Sequence, residues 1–244
     1  MIRIGTAGWG LPVEVRDQFP AEGSALQRYA AVFDAVEINS SFHRPHRPQT
    51  YARWAASVPE HFRFAVKAPK AVTHEARLVD CQGRLRAFRA EAGMLGDRLG
   101  PLLVQLPPSL AFDAPVAERF FADLRVIWPG PIACEPRHAS WFDAEAEALL
   151  TAFQVARVAA DPARHPLAGK PGGWPGLVYW RLHGSPRMYA SPYGRSRLSG
   201  LTQDLNRSAA PRTWCMFDNT ASGAAAADAL LLRTLISARA RPGP

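Results

Sequence analysis

Eight short apolar runs recur along the chain, at residues 2–6, 35–39, 64–67, 102–105, 132–137, 158–161, 178–183 and 214–219, and each ends on a polar side chain. Runs this short, rich in β-branched and aromatic residues and separated by longer helix-compatible stretches, predict parallel strands joined by crossover helices. Eight such units predict an α/β fold, a single closed (β/α)8 barrel of the TIM type spanning residues 1–244 as one domain. The expected helices cover residues 24–33, 49–57, 83–99, 115–126, 143–153 and 221–238, with a short one at 198–206. Pro115 suits a first helical turn, where its missing N–H costs nothing, and Asp143 suits an N-cap. The crossover after the sixth run is the exception. Residues 162–176 are repeatedly interrupted by Pro and Gly, which predicts an irregular connection without a regular helix.

The period of two within the runs assigns their faces. Val36 and Ile38 share one side while Ala35, Glu37 and Asn39 share the other; Phe64 and Val66 likewise oppose Ala65 and Lys67. The apolar set is expected to meet the helices. The other set turns toward the barrel axis, where Glu37, Lys67, Gln105, Glu135, Arg137, Asp161, Arg181 and His183 converge. In this architecture the carboxyl ends of the strands surround the active-site mouth. Charges in so confined a space are costly unless paired, hydrogen-bonded or hydrated, so packing alone does not account for their number.

Composition narrows the setting. No run approaches the ~20 apolar residues that a bilayer span needs, so no membrane partner is expected. The first strand follows Met1 with no basic-then-apolar leader, which gives a cytoplasmic location as the expectation. Cys81, Cys134 and Cys215 are scattered and odd in number, against both a disulfide framework and a thiolate zinc site. The formal charge of +8 allows a nucleic-acid or phosphorylated partner. Lysine occurs only at 67, 70 and 170, however, and an arginine-rich composition also follows from coding bias. Arg84, Arg86 and Arg89 read as a solvated helix face, and no nucleic-acid motif accompanies the charge.

The phrases VEINSSF, FRFAVKAPK, LLVQLPPS, ACEPRHASW, YWRLHG and MFDNT, in this order and spacing, resemble the YecE-like family, domain of unknown function 72. The resemblance covers nearly the whole chain and implies a TIM-type barrel, but brings no established reaction. It implies site roles for Glu37, Asn39, Ser40, Lys67, Gln105, Glu135, Arg137, Arg181, His183, Gly184, Asp218 and Asn219. The loop after His183, with Met188, Tyr189 and Arg195, departs from the tyrosine-rich, acidic continuation usual in that family.

Several chemistries fit these residues. Glu37 and Glu135 suit a general acid and base if a cation and burial separate their pKa values; they equally suit structural counterions to Arg137 and Arg181. Lys67 suits an anion stabiliser, a base or an imine-forming amine. Arg137, Arg181 and His183 suit an anion receptor. Gly184 permits close backbone approach, and Tyr189 and Tyr193 follow on the loop after strand seven, near which phosphate is commonly held. Phe42 and Trp141 also suit the covering of a planar substrate. His183, Glu37, Glu135, Asp161 and Asp218 include metal-ligand types, but they are interspersed with cations and lack a zinc-helix spacing, so neither metal nor cofactor is expected.

The leading expectation is an enzyme, a hydrolase, lyase or isomerase, acting on a small phosphate- or carboxylate-bearing molecule by metal-independent acid/base chemistry. Glu37, Lys67, Glu135 and His183 are its catalytic candidates, with Asn39, Ser40, Gln105, Arg137, Arg181, Gly184, Tyr189, Asp218 and Asn219 binding substrate. A divalent-metal phosphodiesterase or nuclease, and a non-catalytic barrel binding nucleic acid or a metabolite, are the competing classes. No feature of the sequence specifies an oligomeric state.

Overall fold

The computed structural model describes residues 1–240. Its elements run β1 (Ile2–Thr6), α1 (Ala25–Ala30), β2 (Ala35–Ile38), α2 (Pro48–Ala56), β3 (Arg63–Lys67), α3 (Gln82–Ala92), β4 (Leu99–Gln105), α4 (Ala114–Ile127) and β5 (Ile132–Glu135). They continue with α5 (Ala144–Ala152), β6 (Val155–Arg157), β7 (Ala159–Asp161), β8 (Gly172–Gly173), β9 (Val178–Leu182), α6 (Arg195–Arg207), β10 (Thr213–Phe217) and α7 (Ala224–Ala240). Each of the eight apolar runs forms barrel strand. Pairing is parallel throughout, apart from the short antiparallel β6–β8 pair.

Local chemistry explains most helix starts. Ser24 accepts from the Gln27 N–H while the Gln27 side chain accepts from the Ser24 N–H, a reciprocal cap on α1. Asp113 and Asp143 cap α4 and α5, and Pro115 sits in the first turn of α4. The expected helix over 83–99 is shorter: α3 ends at Ala92, and Gly96 takes a positive φ of 54° that breaks the following turn and sends the chain into β4. Conversely, α6 extends several residues beyond the short helix expected there.

Strand pairing falls into two sets, β1–β10–β9–β7 and β2–β3–β4–β5–β6–β8, so the ladder is not continuous around the barrel. One seam lies within a single stretch of chain. Residues 155–157 pair with β5, the Val158 N–H donates to Cys134 O at 2.8 Å, and residues 159–161 then pair with β9. The sixth strand thus begins three residues earlier than its apolar run suggests and changes partners midway. At the other seam β1 and β2 share one isolated bridge, Ala7 to Glu37, with the Gly8 N–H donating to Glu37 O at 2.9 Å. The buried Tyr29 hydroxyl substitutes for the missing ladder there, accepting from the Thr6 N–H at 2.8 Å and donating to Ala35 O at 3.1 Å.

Alternation divides the core. Val36, Ile38, Phe64, Val66, Leu102, Val104, Cys134, Cys215 and Phe217 face the helices. Ala35, Ala65, Leu103, Ala133, Ala156, Tyr179, Trp214 and Met216 fill the lower barrel interior, where four alanines leave room for a stacked Tyr179–Trp214 pair, 6.1 Å between centroids. Above this apolar plug the same inward face becomes charged. The crossover after β7 carries a 3-10 turn at Pro166–Gly169 and β8 but no α-helix. A cavity of about 710 Å³ opens on that side, between Trp174, Trp180 and the end of α6. No helix among the described residues is long and apolar enough to cross a membrane.

The Tyr29 hydroxyl gives the seam a direct test. Tyr29→Phe leaves a buried N–H and a buried carbonyl unpaired, and is expected to destabilise the fold by roughly 1–3 kcal/mol. Urea denaturation should show a lower midpoint with an unchanged slope. An unchanged midpoint would remove the hydroxyl from the account of the seam.

Candidate functional site

The upper interior is organised by Arg181, whose side chain is 0% exposed. It enters from β9 one inward position above Tyr179. Its Nε donates to Glu37 Oε2 at 3.1 Å and its Nη2 to Glu37 Oε1 at 2.7 Å, a bidentate clasp on the carboxylate of β2. Its Nη1 donates to Glu135 Oε2 at 2.7 Å, at the end of β5, and Nη2 also reaches Asp218 Oδ2 at 2.9 Å, just past β10. The Tyr179 hydroxyl completes the lower side by donating to Glu37 Oε2 at 2.9 Å.

His183 continues the network upward. It is fully buried, with Nδ1 3.1 Å from Asp218 Oδ2 and Nε2 3.0 Å from Glu135 Oε1. Arg137 Nη2 joins from above, 2.5 Å from Glu135 Oε1 and 3.1 Å from His183 Nε2. Tyr189, on the loop beyond, sets its ring edge-on to the imidazole at 5.6 Å. Lys67 completes the group from β3. Its ammonium lies 4.1 Å from the centre of the Phe42 ring and, among the described residues, has no hydrogen-bond or ion-pair partner.

These placements fix the electrostatics. Burial pushes the Glu135 carboxyl up, but Arg181, Arg137 and His183 outweigh it and hold it well below the usual range. Burial and then Arg181 act on Asp218 in the same two directions, with a net lowering. The Arg181 guanidinium loses hydration but gains three carboxylates, and stays firmly charged. Lys67 takes the opposite course. Burial, reinforced by the Arg181 charge and only partly offset by Glu37, Asp218 and Glu135, brings its pKa down to about 8.

The expected site residues do not all do the same work. Glu37, Lys67, Glu135, Arg137, Arg181, His183 and Asp218 belong to one cluster. Arg181, read from sequence as a fork for a ligand, points that fork at the chain's own carboxylates. Asn39 and Gln105 are half-buried at the same strand ends. Ser40 is exposed and bonds His46 Nε2 at 2.8 Å instead; its neighbour Ser41 ties the strands, donating to Ile38 O and to Lys67 O at 2.7 Å. Asn219 is an anchor, donating to Ser191 O at 3.1 Å and Asp228 Oδ2 at 2.7 Å. Gly184 has φ +92°, and a Cβ there would lie 2.7 Å from Ser191 O, so the residue serves the turn that brings the loop back. Tyr193 staples this turn, accepting from the Gly184 N–H and donating to Asp161 O.

Asp161 is a correction. It shares its face with Ala159, which packs toward the helices, and its carboxylate pairs with Arg197 outside the axis. Trp141 is also core, donating its indole N–H to Leu110 O at 3.0 Å. Two participants escaped the sequence reading. Tyr179 was legible, since it shares the inward face of Arg181. His74, edge-on to Phe42 at 4.9 Å and electrostatically coupled to Lys67, lies on an irregular turn that carries no periodic signal. The described residues contain no group of three or more His, Cys, Asp or Glu arranged to hold a metal ion. The 710 Å³ cavity is lined by none of the site residues and stands apart from this chemistry.

A parallel α/β barrel with a buried arginine–carboxylate network at its carboxyl end defines the class. The chain belongs to the family described as "Protein of unknown function DUF72", whose model matches residues 3–243. It is 30% identical over 145 residues to the UPF0759 protein YecE of Escherichia coli (strain K12), covering 58% of this chain and 50% of that protein. The chain therefore spans about half the length of that relative. A DUF72 family protein of Thermotoga maritima MSB8 superposes with a TM-score of 0.80 at 25% identity, covering 97% of this chain and 99% of that one. A xylose isomerase domain protein of Alicyclobacillus acidocaldarius subsp. acidocaldarius shares the fold at a TM-score of 0.51 and 13% identity, with 97% and 99% coverage.

Arg181→Met leaves the Glu37, Glu135 and Asp218 carboxylates buried without their common cation, and is expected to cost about 3–5 kcal/mol. The acid limb of the stability profile checks the same point. Carboxyls held below their unfolded values, Glu135 and Asp218, contribute stability that is complete above roughly pH 4 and is lost progressively as the pH falls below it toward the folded values. In denaturation series between pH 3 and 7, the variant's stability should fall less steeply than the parent's. Equal slopes would contradict the ion-pair assignment.

Proposed function

We propose that the carboxyl end of the barrel binds a small anionic molecule and transfers a proton on it without a metal, with Lys67 and His183 as the proton-handling groups. Lys67, with its pKa near 8, is poised close to neutrality. Glu135 and Asp218 clasp the His183 ring nitrogens and fix its orientation. Glu37, bound on both oxygens by Arg181, has its lone pairs engaged and serves to hold the arginine. Arg137 and Lys67 are the cations that meet the ligand.

The observation that carries this reading is where the unsatisfied polar atoms fall. Of the six buried side-chain N and O atoms lacking a partner among the described residues, Asn39 Oδ1 and Arg137 Nε belong to inward-facing strand-end residues of the mouth. Buried polar groups are nearly always paired in folded proteins, so an unpaired acceptor and an unpaired donor beside the unclasped Lys67 favour an external partner there. Two cations and an amide suit an anion that also carries a hydroxyl or carbonyl. Lys67 and Arg137 provide the charge for it, while Arg181 keeps the interior carboxylates from repelling it.

The first test is calorimetric titration with inorganic phosphate and with a small hydroxycarboxylate. Charge-assisted hydrogen bonds contribute about 1.5–3 kcal/mol, so Arg137→Gln and Lys67→Met should each weaken binding by roughly ten- to a hundredfold. Affinity unchanged in both would refute the anion site.

Stability must move the other way for Lys67. Both folded and unfolded chains hold the lysine proton below pH 8, so the penalty of burying the charge is then felt in full. Between about pH 8 and 10.5 the unfolded chain holds more of the proton, and the parent gains stability as the pH rises. Lys67→Met should therefore be the more stable protein at pH 7, by on the order of 3 kcal/mol, with the difference closing across that window. Loss of stability at pH 7 would instead make Lys67 a structural residue.

A further inference from the structure

We propose that Lys67 is an imine-forming amine, and that the small anion taken by the mouth carries an aldehyde or ketone carbonyl. The inference rests on the reading of the mouth as an anion site and adds the identity of the reacting group. Geometry is its first support. The Lys67 side chain ends inside the barrel at 6% exposure, against the Phe42 ring and without an ion-pair partner among the described residues, although three carboxylates occupy the same interior. Those carboxylates are engaged by Arg181, Arg137 and His183. An amine free of such clasps keeps its lone pair available once it loses a proton.

The other lysines sharpen the contrast. Lys70 is exposed and pairs with Glu75 at 3.5 Å, and Lys170 is exposed on the crossover loop. Burial and the Arg181 charge favour the neutral amine at Lys67. With a pKa near 8, roughly a quarter of it is neutral at pH 7.5, against about 0.1% for an ordinary lysine.

The step balances as follows. The neutral Nζ attacks the carbonyl carbon, forming the C–N bond as the π pair moves to oxygen. Proton transfer from nitrogen to that oxygen gives a carbinolamine. A further proton, carried by the His183 ring between Glu135 and Asp218, converts the hydroxyl to a leaving water and yields the iminium. Amine, carbonyl and one proton thus become iminium and water, with no change of oxidation state. Arg137 Nε is the unpaired donor for the anionic end, and Asn39 Oδ1 the acceptor for the carbinolamine hydroxyl.

The full chain is incubated with glyoxylate and sodium cyanoborohydride at pH 7.5, and the reduced adduct is mapped by peptide mass spectrometry. Cyanoborohydride supplies the hydride that traps an imine as a stable secondary amine. Lys67 should be modified at least tenfold faster than Lys70 or Lys170, and phosphate should slow Lys67 alone. Lys67→Arg should lose the fast adduct. Phosphate is titrated in parallel by calorimetry. Intact phosphate affinity with Lys67 modified no faster than the other lysines overturns the imine and leaves the anion site standing; loss of both overturns both.

Discussion

Arg181 carries a positive charge in the middle of the barrel, where its guanidinium is fully buried, and the upper half of the molecule is arranged around that burden. Moving such a group out of water costs several kcal/mol even after relaxation, and only well-formed pairs offset it. Glu37, Glu135 and Asp218 provide those pairs from β2, the end of β5 and the segment after β10. One side chain from β9 thereby ties together parts of both strand sets. The ladder itself is interrupted at two seams, where hydrogen bonds of other kinds take over. The network spans the interior that the backbone does not close with continuous pairing.

The same network sets the character of what stands above it. Lys67, Arg137 and Arg181 balance Glu37, Glu135 and Asp218, so the cluster carries no large net charge. What distinguishes its cations is placement. Carboxylates face inward and downward onto Arg181, while Lys67 and the Arg137 Nε are left unclasped. Arg181 then acts on Lys67 at a distance, lowering its proton affinity without touching a ligand. Structure and chemistry are separated here by residue: one cation is spent on the fold, and another is held in an unfavourable state that folding alone does not require.

Much of this was legible in the sequence, because strand alternation is strict. Glu37, Lys67, Glu135, Arg181 and His183 followed from the period of two and the strand-end rule, and the missing helix after the sixth strand followed from its prolines and glycines. What a short apolar run does not fix is where its strand begins and which of its faces is inward. Asp161 was placed on the axis by counting along an apolar run, but Ala156 and Val158 both face inward, and unbroken alternation from them puts Ala159, and therefore Asp161, on the helix face. Nor does it separate ligand contacts from internal ties. Asn219 and Tyr193 fasten a returning loop, Ser41 rather than Ser40 bridges strand ends, and the fork of Arg181 turns inward. Each of these depends on three-dimensional partners more than 20 residues away in the chain, which no local pattern encodes.

The most direct measurement of the central claim is an NMR titration of lysine side chains labelled at Cε. Only three lysines are present, so the signals are separable. The account requires the Lys67 resonance to titrate near pH 8, and to move upward in pH when phosphate is added, because a bound anion stabilises the ammonium. A Lys67 resonance that titrates near 10.5, and does not respond to phosphate, would contradict it.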